Sequence, residues 1–163
     1  MHLEGSCHCG AVAFSLESAT PVPFQRCYCS ICRKTQGGGG FAINLGGAAD
    51  SLAVAGGAAI GTYRAHDPEG APGTISEGER SFCTRCGAGL WVWDPRWPEL
   101  IHPFASAIDT PLPAAPEHVD LMLAYKPDWV VVPEGPSSRF QIYPEESLEA
   151  WHRRHGLLDH KAK

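Results

Sequence analysis

Seven cysteines in three clusters constrain this 163-residue chain more than any other feature. They fall as Cys7-His8-Cys9, as Cys27-Tyr28-Cys29-Ser30-Ile31-Cys32 and as Cys83-Thr84-Arg85-Cys86. An odd number cannot close completely into disulfides, and in a reducing setting dense thiols serve metal binding or catalysis more often than cross-linking. Cys9 is followed by Gly10 and Cys86 by Gly87, and each glycine leads into an apolar run. A glycine there can take a positive φ, fold the chain back and aim backbone amides at the sulfurs. Cys7, Cys9, Cys83 and Cys86 are therefore expected to form a closed, structural four-thiolate zinc site joining the start of the chain to its middle. In small zinc fingers such a site is worth ~10 to 16 kcal/mol of binding energy coupled to folding.

Three cysteines remain. In an extended stretch, residues i and i+2 point to one side, and in a helix i and i+3 share a face, so Cys27, Cys29 and Cys32 can converge on one point. Three protein ligands and an open position are the pattern of a catalytic zinc. Arg26, Arg33 and Lys34 flank the trio, and a short helix beginning near Ser30, capped by its hydroxyl, would add a positive dipole end. Zinc held by three thiolates carries a net negative charge, which suits it to activating an incoming thiolate better than to ionising water. The residues leave other uses of the trio open: a second structural site completed by His8, His66 or His102, or a redox pair at Cys29 and Cys32. The redox reading lacks the βαβ pattern that it requires. The run Gly37 to Gly40 reads first as a mobile loop, the alternative being that amides such as those of Gly38 and Gly39 receive a carboxylate.

With 44% hydrophobic residues, 19% charged, 18 Gly and 14 Pro, the chain reads as a soluble protein of many turns and short elements, β-rich and of single-domain size, residues 1–163. Strands are expected, mostly antiparallel, at Ala11 to Leu16, Phe41 to Leu45, Ile60 to Arg64, Thr74 to Phe82, Leu90 to Trp93, Leu100 to Ile108, Val119 to Tyr125 and Trp129 to Val132. Gly46 to Gly57, His66 to Gly73 and Ser106 to Pro116 read as loops. A C-terminal helix is expected to open at Pro144, carry Leu148, Trp151 and His155 on one face and stop at Gly156. His152, His155 and His160 are expected on its solvated end, and Trp91, Trp93, Trp97 and Trp129 in the core. A formal charge of −5 and the lack of any long Lys/Arg run disfavour a nucleic-acid partner. No apolar run reaches the ~20 residues that cross a bilayer, and "MHLEGSCHCG" is no export signal, so a cytoplasmic setting is expected. Nothing in the chain sets an oligomeric state.

The segments "GSCHCGAVAFSL", "CYCSICRKTQGGGGFA", "TYRA" and "RSFCTRCGAGLWVW" resemble the glutathione-dependent formaldehyde-activating family, the Gfa-like and centromere-protein-V-like proteins. The likeness covers most of residues 5–93, with an echo in "KPDWVVV", and leaves residues 94–158 as C-terminal strands and helix. It implies an Mss4-like fold of small antiparallel sheets around a structural zinc on Cys7, Cys9, Cys83 and Cys86. It also implies a second, catalytic zinc on Cys27, Cys29 and Cys32. The activity implied is that of a carbon-sulfur lyase, joining a small-molecule thiol such as glutathione to formaldehyde, with Arg33, Lys34, Gly38 and Gly39 as surroundings that would hold an anionic substrate. The alternative is a non-catalytic, zinc-stabilised binding module. Tyr28 stands where the family commonly has His.

Overall fold

The computed structural model describes residues 1–67 and 71–158. Strands β1 (His2–Ser6), β2 (Ala13–Glu17), β3 (Phe24–Cys27), β4 (Ala42–Asn44), β5 (Gly47–Ala48), β6 (Ala53–Ala55) and β7 (Ile60–His66) come first, with helix α1 (Ser30–Gln36) between β3 and β4. Strands β8 (Ile75–Cys83), β9 (Gly89–Trp93), β10 (Leu100–Pro103), β11 (His118–Leu121) and β12 (Ser137–Arg139) follow, and helix α2 (Leu148–Arg154) ends the series. The fold is mainly β, built of small sheets with a short C-terminal helix.

Three sheets form, with strand orders β1-β2-β6, β5-β10-β9-β8-β7 and β12-β11-β3-β4. Successive residues of a strand face opposite sides, so the five-stranded sheet serves two cores. Cys83, Trp91 and Ile101 pack with Leu3, Cys7, Phe14 and Leu16 of the first sheet in one core. Val92, between the two tryptophans of β9, packs on the other side against the core that holds Cys27, Cys32, Phe104, Leu121 and Trp151. The four-cysteine cluster and the trio thus belong to different cores of one molecule.

Pairing is antiparallel within the first two sheets, as expected, but β11 runs parallel to both β3 and β12. That register lines up Arg26, Asp120 and Arg139 across three strands. Asp120, fully buried, accepts Arg26 Nε at 2.7 Å, Arg26 Nη2 at 3.0 Å and the Tyr28 hydroxyl at 3.2 Å.

Several elements differ from expectation for identifiable reasons. Trp129–Val132 is not a strand: Trp129 is 66% and Val131 81% exposed, and only Val130 is buried, against Gly40. A strand there would need a buried side, and the loop supplies one residue. Strand β10 gives way to a 3-10 turn over Ala105–Ala107, and β11 ends where Met122 takes a φ of 62°. The segment expected to be the loop Gly46 to Gly57 contains β5 and β6, and β1 and β3 were not anticipated because their apolar residues are too few to reveal the alternation. The cap of α1 is Cys29, whose sulfur accepts the Cys32 amide at 3.3 Å, rather than Ser30. Helix α2 starts at Leu148 behind the Ser147 cap, later than Pro144, and Gly156 follows it with a φ of 66°. Trp151 and His155 stack at 4.0 Å, as their shared face requires. His152 is buried with Nε2 2.5 Å from the Val22 carbonyl, contrary to a solvated position, and His160 lies outside the described residues. Trp97, 43% exposed, lies under Arg96 rather than in the core. Among the described residues, no helix is long and apolar enough to cross a membrane.

Asp120 supports the fold as one partner of a buried ion pair. Asp120→Ala, which leaves Arg26 unpaired, is expected to cost about 3 to 5 kcal/mol in chemical denaturation. Arg139→Ala, removing a half-exposed partner, is expected to cost less than about 1 kcal/mol.

Candidate functional site

The first cysteine cluster is assembled by two matching turns. Gly10 donates to the Cys7 carbonyl and Gly87 to the Cys83 carbonyl, at 3.0 and 2.8 Å, with φ of 72° and 74°. Each turn closes with a second backbone bond, Cys7 to Val12 at 3.0 Å and Cys83 to Ala88 at 2.8 Å. The positive φ that glycine permits is thus used at both places. Val12 N–H also reaches the Cys7 sulfur at 3.2 Å, and the Ala11 and Ala88 amides serve Cys9 and Cys86.

All four sulfurs lie within 4.8 Å of one another, Cys7 to Cys9 at 3.6 Å and Cys9 to Cys83 at 3.8 Å. A tetrahedral zinc with zinc-sulfur bonds of about 2.3 Å has sulfur-sulfur edges of about 3.8 Å, so the donor set fits a metal of that size. Burial pushes the Cys7 thiol up, but the Val12 amide and the sulfurs of Cys83, Cys9 and Cys86 outweigh it and bring it down to about 6. A thiol that ionises so readily suits metal binding.

The trio sits at the junction of β3 and α1. Cys27 ends the strand, Cys29 caps the helix and Cys32 lies in its first turn, so their sulfurs also lie within 4.8 Å of one another. Among the described residues no fourth His, Cys, Asp or Glu atom joins them at that distance. His8 and His66 are exposed, and His102 directs Nδ1 to the Leu45 carbonyl at 3.0 Å, so none of the three histidines completes the trio. Both clusters could hold a metal ion, and all seven cysteines are free thiols.

The trio concentrates one negative charge. Hydrogen bonds from Cys27 and Cys32 bring Cys29 down to about 2, helped by the Cys32 and Ile31 amides against its burial. The same sharing pushes Cys27 up, because its thiol donates to Cys29 and Cys32 and is buried. Cys32 is pushed up to about 11: its bond with Cys27 lowers it, but its bond with Cys29 and its burial outweigh that. The shared hydrogen bonds thus favour the thiolate form at Cys29 over its two neighbours.

Of the three cations that flank the trio in sequence, Arg26 is committed to another partner. Arg26 turns to Asp120, on the opposite side of β3 from Cys27, and is taken up there. Tyr28 does the same, its hydroxyl on Asp120 and its ring 5.2 Å from Phe41. Arg33 is half-buried with Nε unpartnered among the described residues, and Lys34 is exposed. Gly37 and Gly40 are packed, against Phe41 and Val130 respectively, while Gly38 and Gly39 are exposed with open space beside them. Two further residues interact with the sulfurs: the Arg80 charge favours the Cys32 thiolate, and Tyr143 feels the charges of all three cysteines, opposed at its hydroxyl by Arg96. Tyr143 is 57% exposed as a residue, yet desolvation around its hydroxyl, reinforced by those thiolates, pushes it up to about 12. Alternation along "ERSFC" could have shown that Arg80 faces away from Cys83, but not that this side looks toward the trio.

A mainly β chain with one closed and one three-sulfur cluster defines the class of protein, and the comparisons agree. The model of the family described as "Glutathione-dependent formaldehyde-activating enzyme" matches residues 2–122. This chain belongs to that family. It is 59% identical over 158 residues to a Halomonas elongata protein named "Putative glutathione-dependent formaldehyde-activating enzyme", covering 96% of this chain and 98% of the relative. Its fold is similar to that of a Rhodobacter sphaeroides protein solved by crystallography, with a TM-score of 0.51 and 23% identity over 68% of this chain and 91% of that one.

The two clusters should respond differently to loss of a sulfur. Cys83→Ser is expected to destabilise the whole chain by several kcal/mol or prevent folding. Cys29→Ser is expected to retain the native circular dichroism and lose only part of the bound metal. Metal analysis and thermal denaturation of both variants check this, and equal loss of folding would refute the division.

Proposed function

We propose that the chain is a zinc-dependent enzyme of carbon-sulfur chemistry, with a structural zinc on Cys7, Cys9, Cys83 and Cys86 and a catalytic one on Cys27, Cys29 and Cys32. The observation that carries this reading is the unequal donor count: four sulfurs close one site, while the other gathers three. The family and the name of the Halomonas relative support a glutathione-dependent, formaldehyde-activating role. The reaction proposed is that of S-(hydroxymethyl)glutathione synthase, a carbon-sulfur lyase. Seven free thiols suit a reducing, cytoplasmic setting.

Zinc bound by the trio would supply a Lewis-acid position at which a substrate thiol ionises. The protein's own groups do the rest. Hydrogen bonds from Cys27 and Cys32, helped by the amides at the start of α1, favour the Cys29 thiolate that would ligate the metal. Tyr143 keeps its proton at neutral pH and can donate a hydrogen bond to the oxygen of an incoming aldehyde. The substrate sulfur, its proton released to solvent, adds to the carbonyl carbon: a sulfur-carbon bond forms, the carbonyl π pair moves to oxygen, and that oxygen takes one proton back from solvent to become the hydroxyl, Tyr143 keeping its own. Arg33 and Lys34 in α1, and the exposed Gly38 and Gly39 in the loop that follows it, would hold the anionic remainder of the thiol.

The test is cobalt substitution at the trio with glutathione titration, beside exchange spectroscopy of labelled formaldehyde for adduct formation. The expected result is a change in the cobalt spectrum on adding glutathione, and adduct formation that falls about 100-fold or more in Cys29→Ser. A cobalt spectrum showing four protein ligands and no response to thiols would sink the enzyme reading.

A further inference from the structure

A cavity of about 230 Å³ opens between the end of α1 and the five-stranded sheet, with Thr35, Gln36, Tyr63, Arg80, Phe82 and Phe104 in its wall. Thr35 and Gln36 follow Cys32 by three and four residues, so they continue the helix face that carries that cysteine. From the sheet, Arg80 stands in register with Tyr63 on one side and Val92 on the other. Residues paired in this way share a face, and Val92 packs against the core containing the trio. The cavity therefore adjoins the three-sulfur cluster through α1.

Arg80 is the cation in this wall, and its donors are largely uncommitted. Its Nε is buried with no hydrogen-bond partner among the described residues, and Nη1 makes a 3.5 Å contact with the Gly78 carbonyl. The acid on the same face, Asp94, is already held by Arg96 at 2.9 and 2.7 Å. A buried guanidinium edge without a partner is costly unless a ligand supplies one, and the planar fork of arginine matches a carboxylate. Gly89 sharpens the site: a Cβ there would overlap the Gln36 side-chain amide, so the glycine keeps that amide at the cavity wall. The volume is below the roughly 300 to 1,000 Å³ of a site that encloses a whole drug-sized ligand. It suits one end of a ligand whose other end lies elsewhere.

The geometry points to this cavity as a carboxylate subsite, in which Arg80 anchors one end of an acidic thiol whose sulfur reaches the trio; this rests on the reading that the trio accepts a thiol.

S-methylglutathione keeps the carboxylates but has no free sulfhydryl, so its binding tests the subsite apart from the thiol chemistry. Titrated into the zinc-loaded protein by calorimetry and amide NMR, it is expected to bind and to shift the signals of Thr35, Gln36 and Phe82. In Arg80→Met its affinity should fall about 10- to 100-fold, with partial recovery in Arg80→Lys. Mercaptoethanol, a thiol without a carboxylate, should perturb the cobalt-substituted wild type and Arg80→Met equally. Absence of S-methylglutathione binding to the wild type, equal binding to Arg80→Met, or a parallel loss of mercaptoethanol response would overturn the proposal. If Arg80→Met does not fold, an Arg80→Lys affinity equal to that of the wild type also overturns it, and a weakened one supports it. If S-methylglutathione binding depends on Arg80 while neither thiol affects cobalt, the subsite stands and the thiol chemistry falls.

Discussion

The arrangement of the trio depends on one buried carboxylate. Asp120 has no exposed surface and must be paired, and its partners are the residues on either side of Cys27: Arg26 by two hydrogen bonds and Tyr28 by its hydroxyl. Because residues of an extended chain alternate, fastening Arg26 and Tyr28 to one side presents Cys27 and Cys29 to the other. The parallel pairing of β11 with β3 brings Asp120 opposite Arg26, so the least expected feature of the sheets is the one that orients the sulfurs. Tyr28 here has a structural task, and its hydroxyl is spent on Asp120.

The two sulfur clusters use different local devices to the same end. In the first, two glycine turns fold the chain back and point amides at the sulfurs, joining β1 to the end of β8 across more than seventy residues. In the second, a strand runs directly into a helix, and the helix start supplies amides to Cys29. The pair of turns contributes four sulfurs, those of Cys9 and Cys86 from exposed residues, whereas the strand-helix junction contributes three from buried or half-buried ones. It is this difference in donor count, four against three, on which the proposed structural role of one and reactive role of the other rest.

The five-stranded sheet links these centres. One side of β8 and β9 carries Cys83 and Trp91 toward the first cluster, and the other carries Arg80 and Val92 toward the second. The charged and polar groups that act on the trio from outside its own segment come from far along the chain: Arg80 from β8 and Tyr143 from the segment before α2.

Much was legible from local pattern alone. Cysteine spacing separated the four sulfurs from the three, glycines after Cys9 and Cys86 marked the turns, alternation located β7, β8 and β9, and Gly156 marked the end of α2. These are properties of a few adjacent residues and of backbone geometry, which a sequence states directly. Short strands such as β5 and β6 carry too few side chains to show a period, and Trp129 and Val131 carry hydrophobic residues into solvent, so neither could be read in that way. Only the tertiary structure decided that Arg26 belongs to Asp120 and that Arg80 and Tyr143 interact with the sulfurs. Charges act through space, and their neighbours are set by strand pairing and packing rather than by distance along the chain.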